Sequence, residues 1–377
     1  MSGIAINLHP LMTRHLVEEL RVFEREPVVI FDVGGRGGIN QEWTAFGDQL
    51  QVYCFEPDEE ECRRLAAEAP AQIKYIPQAL GKSAGTVALY EAKLAASTSL
   101  YKTRMDYFGR FLNSDNGVIV GERTVVVRPL DEVVGQYGVD RIDFIKLDAE
   151  GAELDILKGG IETLGKGDVL GVLSEIRFHR EINGSPPFWE LDAFLRSRNF
   201  HLYDIEANRH SRRALPYPSA ADYRTATGER FFGYTTRGQI QDGDALYFRD
   251  LLGGATSPLG TLKLCALMEI YSLNDCAAEL VAANKESLRQ YADPDKLLDL
   301  LASGIAGRST HYQDYLNAYF QDPAVAARSV DSGAAAVDGP SAAKTTEEAA
   351  QSAEGRTPSS GPQGGVLGWL ARRLRRR

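Results

Sequence analysis

The chain has 377 residues, 44% of them hydrophobic, and a formal net charge of −10. That length supports one sizeable α/β core with additional structure, and the acidic balance argues against general nucleic-acid binding, which needs a basic footprint. The four cysteines, Cys54, Cys62, Cys265 and Cys276, show neither metal-ligand spacing nor a disulfide framework and read as buried thiols in a reducing compartment. No apolar run reaches membrane-spanning length, and the opening MSGIAINLHP lacks a signal peptide's hydrophobic region, so a cytoplasmic location is expected.

Leu11–Arg25 has the spacing of an amphipathic helix leading into a first strand. That strand opens Val28–Ile39, VVIFDVGGRGGI, an apolar run that stops at Asp32 and then at glycine. Gly34, Gly35, Gly37 and Gly38 allow a sharp turn and leave bare backbone for a ligand. The dinucleotide pattern G-x-G-x-x-G fails from either start: Asn40 stands at the third glycine counted from Gly35, and Arg36 at the second counted from Gly34. An acid followed by a looser glycine turn suits a ligand without a pyrophosphate, of which S-adenosylmethionine is the common one. The next strand ends Tyr53-Cys54-Phe55-Glu56-Pro57, about twenty residues on, where a carboxylate accepts hydrogen bonds from both ribose hydroxyls. Pro57-Asp58 also opens a helix, so capping is the competing role for Glu56.

Helix Glu59–Glu68 follows, then strands Ile73–Ala79, Thr86–Tyr90 and Thr124–Val127, and a turn and helix at Pro129–Glu132. Strand Asp143–Leu147 ends at Asp148, helix Ala152–Leu164 follows it, and strand Val169–Ile176 precedes helix Phe188–Arg198. His201–Ile205 and Phe231–Thr235 read as a final antiparallel pair. This alternation predicts an α/β fold with a doubly wound, mostly parallel sheet. Beyond it, Gly243–Leu252, Leu259–Tyr271, Asn274–Leu288, Pro294–Leu301 and His311–Phe320 have helical spacing.

The expected organisation is a catalytic-type domain over 1–236, a helical appendage over 237–323, a disordered linker over 324–365 and a basic amphipathic tail over 366–377. In the tail, Leu367, Leu370 and Leu374 share a face with Trp369 beside it and five arginines around it. Such a segment suits weak contact with an anionic membrane surface or an acidic partner, against a plain solubilising end.

The chemistry concentrates in Ile142–Gly160, IDFIKLDAEGAELDILKGG. Asp148 ends its strand and faces the cleft. Lys146 alternates with Ile145 and Leu147 and is placed to pair with a carboxylate across the sheet. Glu153 and Asp155 fall in the first helical turns, where the helix N-terminus favours negative charge.

The DVGGRGG turn, the CFEPD strand end and above all IDFIKLDAEGAELDILKGG resemble the FkbM-type S-adenosylmethionine-dependent methyltransferases. Ser97–Leu100, Arg128–Glu132 and Leu173–Ile176 support the resemblance, which covers roughly residues 28–236. Gly35-Arg36 departs from it, replacing the Ala-Asn of the family's usual Asp-Val-Gly-Ala-Asn-x-Gly. The family implies a Rossmann-like, seven-stranded sheet of class I methyltransferase type and O-methylation, often of hydroxyls on sugars or on glycosylated and polyketide products.

On that reading Asp32, Gly34 and Gly37 surround the methionine end of the cofactor, Glu56 holds the ribose, and Gln78 and Ala79 flank the adenine. Asp148, Glu175 and His179 are the candidates for the base that takes the acceptor's proton. A divalent, oxygen-bound ion between Asp148 and Glu175 is the minority alternative, and no metal is assigned. Acceptor contacts, to a small molecule or glycan and not to nucleic acid, are expected from Ser97–Arg110 with Tyr101, Tyr107 and Phe108. Asn208–Arg230, with His210, Arg212, Arg213, Tyr217 and Tyr223, is the second such region. Two other classes stay open: a non-catalytic, methyltransferase-like scaffold and an NAD-dependent oxidoreductase.

Overall fold

The computed structural model describes residues 4–180, 182–215, 220–224, 230–234, 238–251 and 257–321. The expected linker, the basic tail and Tyr217 lie outside the described residues, and for Tyr223 only the backbone is described. The strands are β1 (Val28–Val33), β2 (Leu50–Phe55), β3 (Ile73–Ile76), β4 (Ala79–Gly81), β5 (Gly85–Ala92), β6 (Ile119–Pro129), β7 (Phe144–Leu147), β8 (Gly171–Arg177), β9 (Phe200–His210), β10 (Ala220–Arg224), β11 (Arg230–Tyr234) and β12 (Gln239–Arg249). The helices are α1 (Leu11–Arg14), α2 (Glu59–Ala66), α3 (Met105–Phe108), α4 (Leu130–Gln136), α5 (Glu153–Lys158), α6 (Ile161–Gly165), α7 (Phe188–Arg196), α8 (Pro258–Ile270), α9 (Asn274–Ala283), α10 (Lys285–Leu288), α11 (Pro294–Ala306) and α12 (Tyr312–Gln321).

Seven strands form one sheet in the order β3-β2-β1-β7-β8-β12-β9. The first five run parallel, and β12 runs antiparallel to both of its neighbours. The expected doubly wound, Rossmann-like sheet is therefore present. Strand order reverses between β1 and β7, so their carboxyl ends open a crevice, where such sheets bind ligands. A separate three-stranded sheet, β4-β6-β5, is inserted between β3 and α4 and stands over that crevice.

Several expectations are corrected. The last pair of the sheet is β9 with β12, not His201–Ile205 with Phe231–Thr235; the latter segment overlaps β11, which pairs only with β10. Gly243–Leu252, read as helix, falls largely in β12, which places sheet structure beyond the expected boundary at residue 236. The reason is burial on both faces. Ala245 and Tyr247 pack into one core, Leu246 and Phe248 into the other, and such a strand has no polar alternation to betray it. The N-terminal helix is also shorter than expected, with α1 passing into one π-turn at His15–Glu19.

The connection from β1 to β2 contains only the 3₁₀ segment Gln41–Gln49 in place of a crossover α-helix. The sheet face left bare is covered by the C-terminal helices. Ile30, Val52 and Phe144 of the sheet share one core with Leu262, Cys265 and Met268 of α8 and with Leu297 and Leu301 of α11. The second core, on the opposite face, joins β1, β7 and β8 to α4, α5 and α7. The helical region is thus a structural layer of the sheet domain.

An ion pair fixes this layer. Lys263 of α8 and Asp143, just before β7, are both fully buried, with Nζ 3.0 Å from Oδ2. Lys263 also donates to Glu26 Oε1 at 3.1 Å and to Pro27 O at 2.9 Å, while Asp143 accepts from Val29 N and Arg141 Nε. Removing one partner of a buried pair strands the other charge. Lys263→Met is expected to lower unfolding free energy by about 3 kcal/mol in urea titrations. The Lys263→Met/Asp143→Asn double variant should recover part of that loss; equal stability of Lys263→Met and wild type would contradict the role.

Candidate active site

The ends of β1 and β7 are tied at one ammonium group. Lys146 Nζ lies 3.0 Å from Asp32 Oδ1, 3.5 Å from Asp148 Oδ2 and 3.3 Å from Gly34 O. Parallel pairing sets Lys146 opposite Asp32, so the expected cross-sheet partner is found. Gly34 then turns with φ +82°, and a Cβ there would stand 1.9 Å from Asp148 O. Only glycine permits the two strand ends to meet so closely.

This junction forms one wall of a cavity of about 300 Å³, at the small end of the range for small-molecule sites. Gly34, Glu56, Gln78, Ala79 and Asp148 line it, as do Leu89 and Arg123 of the inserted sheet. Glu56 is 7% exposed. Its Oε1 accepts from Asp58 N at 2.9 Å, while Oε2 accepts no hydrogen bond from the described residues. Burial raises its pKa; the Asp58 amide and the nearby Arg36 guanidinium oppose that shift. A carboxylate that lines a cavity and is held by one oxygen suits a pair of neighbouring hydroxyls.

The glycine turn does not suit a pyrophosphate. Gly34 N and Gly35 N both donate to Phe55 O, at 2.9 and 3.2 Å, and Gly37 N donates to Glu61 Oε1 at 3.1 Å. A phosphate cradle needs such amides free for the ligand.

Beyond Asp148 the wall is acidic. Asp148, Glu150 and Glu175 bring carboxylate oxygens within 4.8 Å of one another. Arg177 NH2 stands between two of them, 2.7 Å from Glu150 Oε2 and 3.0 Å from Glu175 Oε2. Burial, reinforced by Glu150, Asp148 and Glu153, pushes Glu175 well above the usual carboxylate range, against the pull of Arg177. Oxygen donors alone would suit a hard divalent ion, but Arg177 already supplies a positive charge to two of the three. The loop carrying Glu150 is fixed by Glu153, whose Oε1 accepts from Ala149 N and Gly151 N at 2.9 and 3.0 Å. Ser99 Oγ donates to Glu150 O at 2.7 Å, which pins the Ser97–Leu100 segment to the same loop.

Of the residues expected at the cofactor, Gly34, Glu56, Gln78 and Ala79 line the cavity. Asp32 does not: it is fully buried and acts on the site through Lys146. Gly37 is also outside the lining, its amide committed to Glu61. Gln78 Nε2 donates to Ala79 O and Val126 O, so it joins the inserted sheet to the cavity edge.

Among the expected bases, Asp148 lines the cavity, Glu175 sits behind it, and His179 is held away from it. His179 Nε2 lies 2.9 Å from both Ile240 O and Gln239 Nε2, beside the bulge in β12. The proposed acceptor aromatics are likewise spent on packing. Tyr101 OH bonds Asp155, Tyr107 packs on Phe111 and His179, and Phe108 packs on Phe111. His210 pairs with Asp242 at 3.1 Å, Arg212 lies over the Phe111 ring and bonds Gln239, and Arg213 reaches Ser114 at 3.1 Å. Arg36, Asp58 and Glu91 are lining residues that the sequence did not single out as ligands. The Pro57-Asp58 helix opening and the departure at Gly35-Arg36 were the signals there.

The sheet order, with its single reversed strand, is that of a Rossmann-like, doubly wound and mostly parallel seven-stranded sheet. Residues 32–202 match the family model of the methyltransferase FkbM domain. Over 157 residues the chain is 26% identical to the 2-O-methyltransferase NoeI of Sinorhizobium fredii (strain NBRC 101917 / NGR234), covering 38% of this chain. The matched stretch spans 62% of that relative's length. Similar solved structures include magnesium protoporphyrin IX methyltransferase (ChlM) from Synechocystis PCC 6803 with bound SAM, at 8% identity and TM-score 0.26 over 64% of this chain and 80% of that one. Another is 1,6-didemethyltoxoflavin-N1-methyltransferase of Burkholderia thailandensis, at 13% identity and TM-score 0.26 over 63% and 79%. Resemblances of that degree carry no chemistry to this chain. Among the described residues no helix is long and apolar enough to cross a membrane.

The departure at Gly35 has a steric cause. A Cβ on Gly35 would fall 2.5 Å from the buried Cys54 Sγ of β2. Gly35→Ala is therefore expected to destabilise the protein by about 1–3 kcal/mol through overpacking. Adding Cys54→Ala should restore most of that in thermal melts; a double variant no more stable than Gly35→Ala would contradict the pairing.

Proposed function

We propose that this protein transfers a methyl group from S-adenosylmethionine to a hydroxyl oxygen of an uncharged, sugar-like acceptor. The observation that carries this reading is one cavity lined together by Glu56, Gly34 and Asp148. When bound, the cofactor supplies an electrophilic methyl on a cationic sulfur. The free oxygen of Glu56 would accept hydrogen bonds from its ribose, and the glycine turn lets its methionine portion lie against backbone.

Asp148 is the group placed to take the acceptor's proton as oxygen bonds to carbon. A bound cofactor would supply the methyl carbon and keep the electron pair of its C–S bond on sulfur. Lys146 fixes the Asp148 carboxylate and balances its charge from behind the wall. Positioning of the two reactants supplies much of such a rate, up to about 7–11 kcal/mol in the best intramolecular cases.

The charge of the lining supports an uncharged acceptor. Among the described lining residues the two arginines are matched within the wall itself, Arg36 with Asp58 and Arg123 with Glu91, each at 3.0 Å. Lys146 and Arg177 are matched to Asp148 and Glu150 from behind. A phosphate or carboxylate beside the reacting hydroxyl would face like charge there.

The test is incubation with methyl-labelled cofactor and a cell extract, followed by hydrolysis and separation of the labelled monosaccharides by charge. Label in an uncharged sugar is expected, and label confined to protein, nucleic acid or acidic sugars would contradict the acceptor class. Asp148→Asn should lose about 10²–10⁴-fold in turnover while keeping cofactor affinity. Because Arg177 already balances the acidic wall, a chelator is expected to leave turnover unchanged, and a rate restored only by added Mg²⁺ would overturn the metal-free assignment.

A further inference from the structure

We propose that Arg36 is a positioning residue for the cofactor, acting through Asp58 to hold the Glu56 carboxylate in place and to close the ribose end of the cleft. The inference rests on the S-adenosylmethionine reading above.

Three contacts run in series. Arg36 NH1 and NH2 donate to Asp58 Oδ2 at 3.1 and 3.0 Å. Asp58 Oδ1 accepts from Glu60 N and Glu61 N, both at 3.1 Å, and so caps α2. With both oxygens engaged, Asp58 has one orientation, and in it the backbone N–H donates to Glu56 Oε1 at 2.9 Å. That leaves Glu56 Oε2 with no hydrogen bond from the described residues. Arg36 therefore joins the turn after β1 to the turn after β2, and both turns line the site.

The pair is half-buried, with side chains 28% and 34% exposed, and a bridge of that kind contributes little to folding. What it controls is placement and charge at a single carboxylate. Cys62 donates through Sγ to the Glu56 carbonyl at 3.2 Å and sets the backbone beneath it. The charged groups around Glu56 are Arg36 from the first turn, and Asp58 and Glu61 from the start of α2. Arg36 is the one cation in this set. Burial favours the protonated acid, which donates a hydrogen to the ribose side and has lost its negative charge; Arg36 favours the ionised form.

The sign follows. A carboxyl whose pKa is raised by burial loses its charge as pH falls through that raised value. Taking Arg36 away raises the value further, so cofactor affinity should start to fall at a higher pH than in the wild type.

The experiment is calorimetric titration of the full chain with S-adenosylhomocysteine between pH 5 and 8. Arg36→Met should weaken binding by about fivefold to tenfold at pH 7, the scale of one lost charge-assisted contact. Its acid limb should move to higher pH. Asp58→Asn keeps a good N-cap while removing the charge that Arg36 grips, so it should weaken binding similarly. The double variant should be no weaker than either single one, since all act on one chain of contacts. Arg36→Met binding within twofold of wild type, an unmoved acid limb, or additive losses in the double variant would overturn the proposal. Failure of the wild type itself to bind at millimolar ligand would instead defeat the cofactor reading beneath it.

Discussion

The site depends on the meeting of the β1 and β7 ends around Lys146. Two carboxylates and one carbonyl converge on a single ammonium: Asp32 from β1, Gly34 from the glycine turn and Asp148 from the acidic loop. Asp32 is fully buried, so its charge is tolerable only while Lys146 remains beside it. The same cation orients Asp148 toward the cavity. One ammonium group thereby couples the shape of the glycine turn to the position of the residue proposed for proton transfer.

A second constraint comes from the opposite side of the sheet. With only a 3₁₀ segment between β1 and β2, the face beneath the glycine turn needs another cover. The C-terminal helices supply it. Tyr271, at the end of α8, packs on Phe144 of β7 and accepts from Trp43 Nε1 at 3.2 Å, below the strands that carry the site. A region far along the chain from the motifs thus forms the floor under them, and the buried Lys263–Asp143 pair sets its position.

Much of this was legible in the sequence because motifs at strand ends carry their own geometry. Val28–Ile39, Tyr53–Pro57 and Ile142–Gly160 marked three neighbouring strands and, through Gly34, Glu56 and Asp148, three points of one cavity. What was not legible depended on neighbours. β12 hid because both its faces are buried, which removes alternation. Asp32 looked like a ligand, yet a strand-end acid pairs as readily with a lysine across the sheet. His179 had a suitable titration range, but only the register of β12 shows that its ring is engaged by Gln239 and Ile240. Gly35-Arg36 looked like a flaw in the family pattern; a Cβ on Gly35 would meet Cys54, and Arg36 grips Asp58.

The central claim is that Glu56 receives the ribose of an adenosyl cofactor. It is tested most directly by calorimetric comparison of wild type and Glu56→Gln titrated with S-adenosylmethionine at pH 7. Saturable binding by the wild type, weakened at least about tenfold in a variant with an unchanged melting profile, is the predicted result. Equal affinity of the two proteins, or no binding by the wild type, would contradict it.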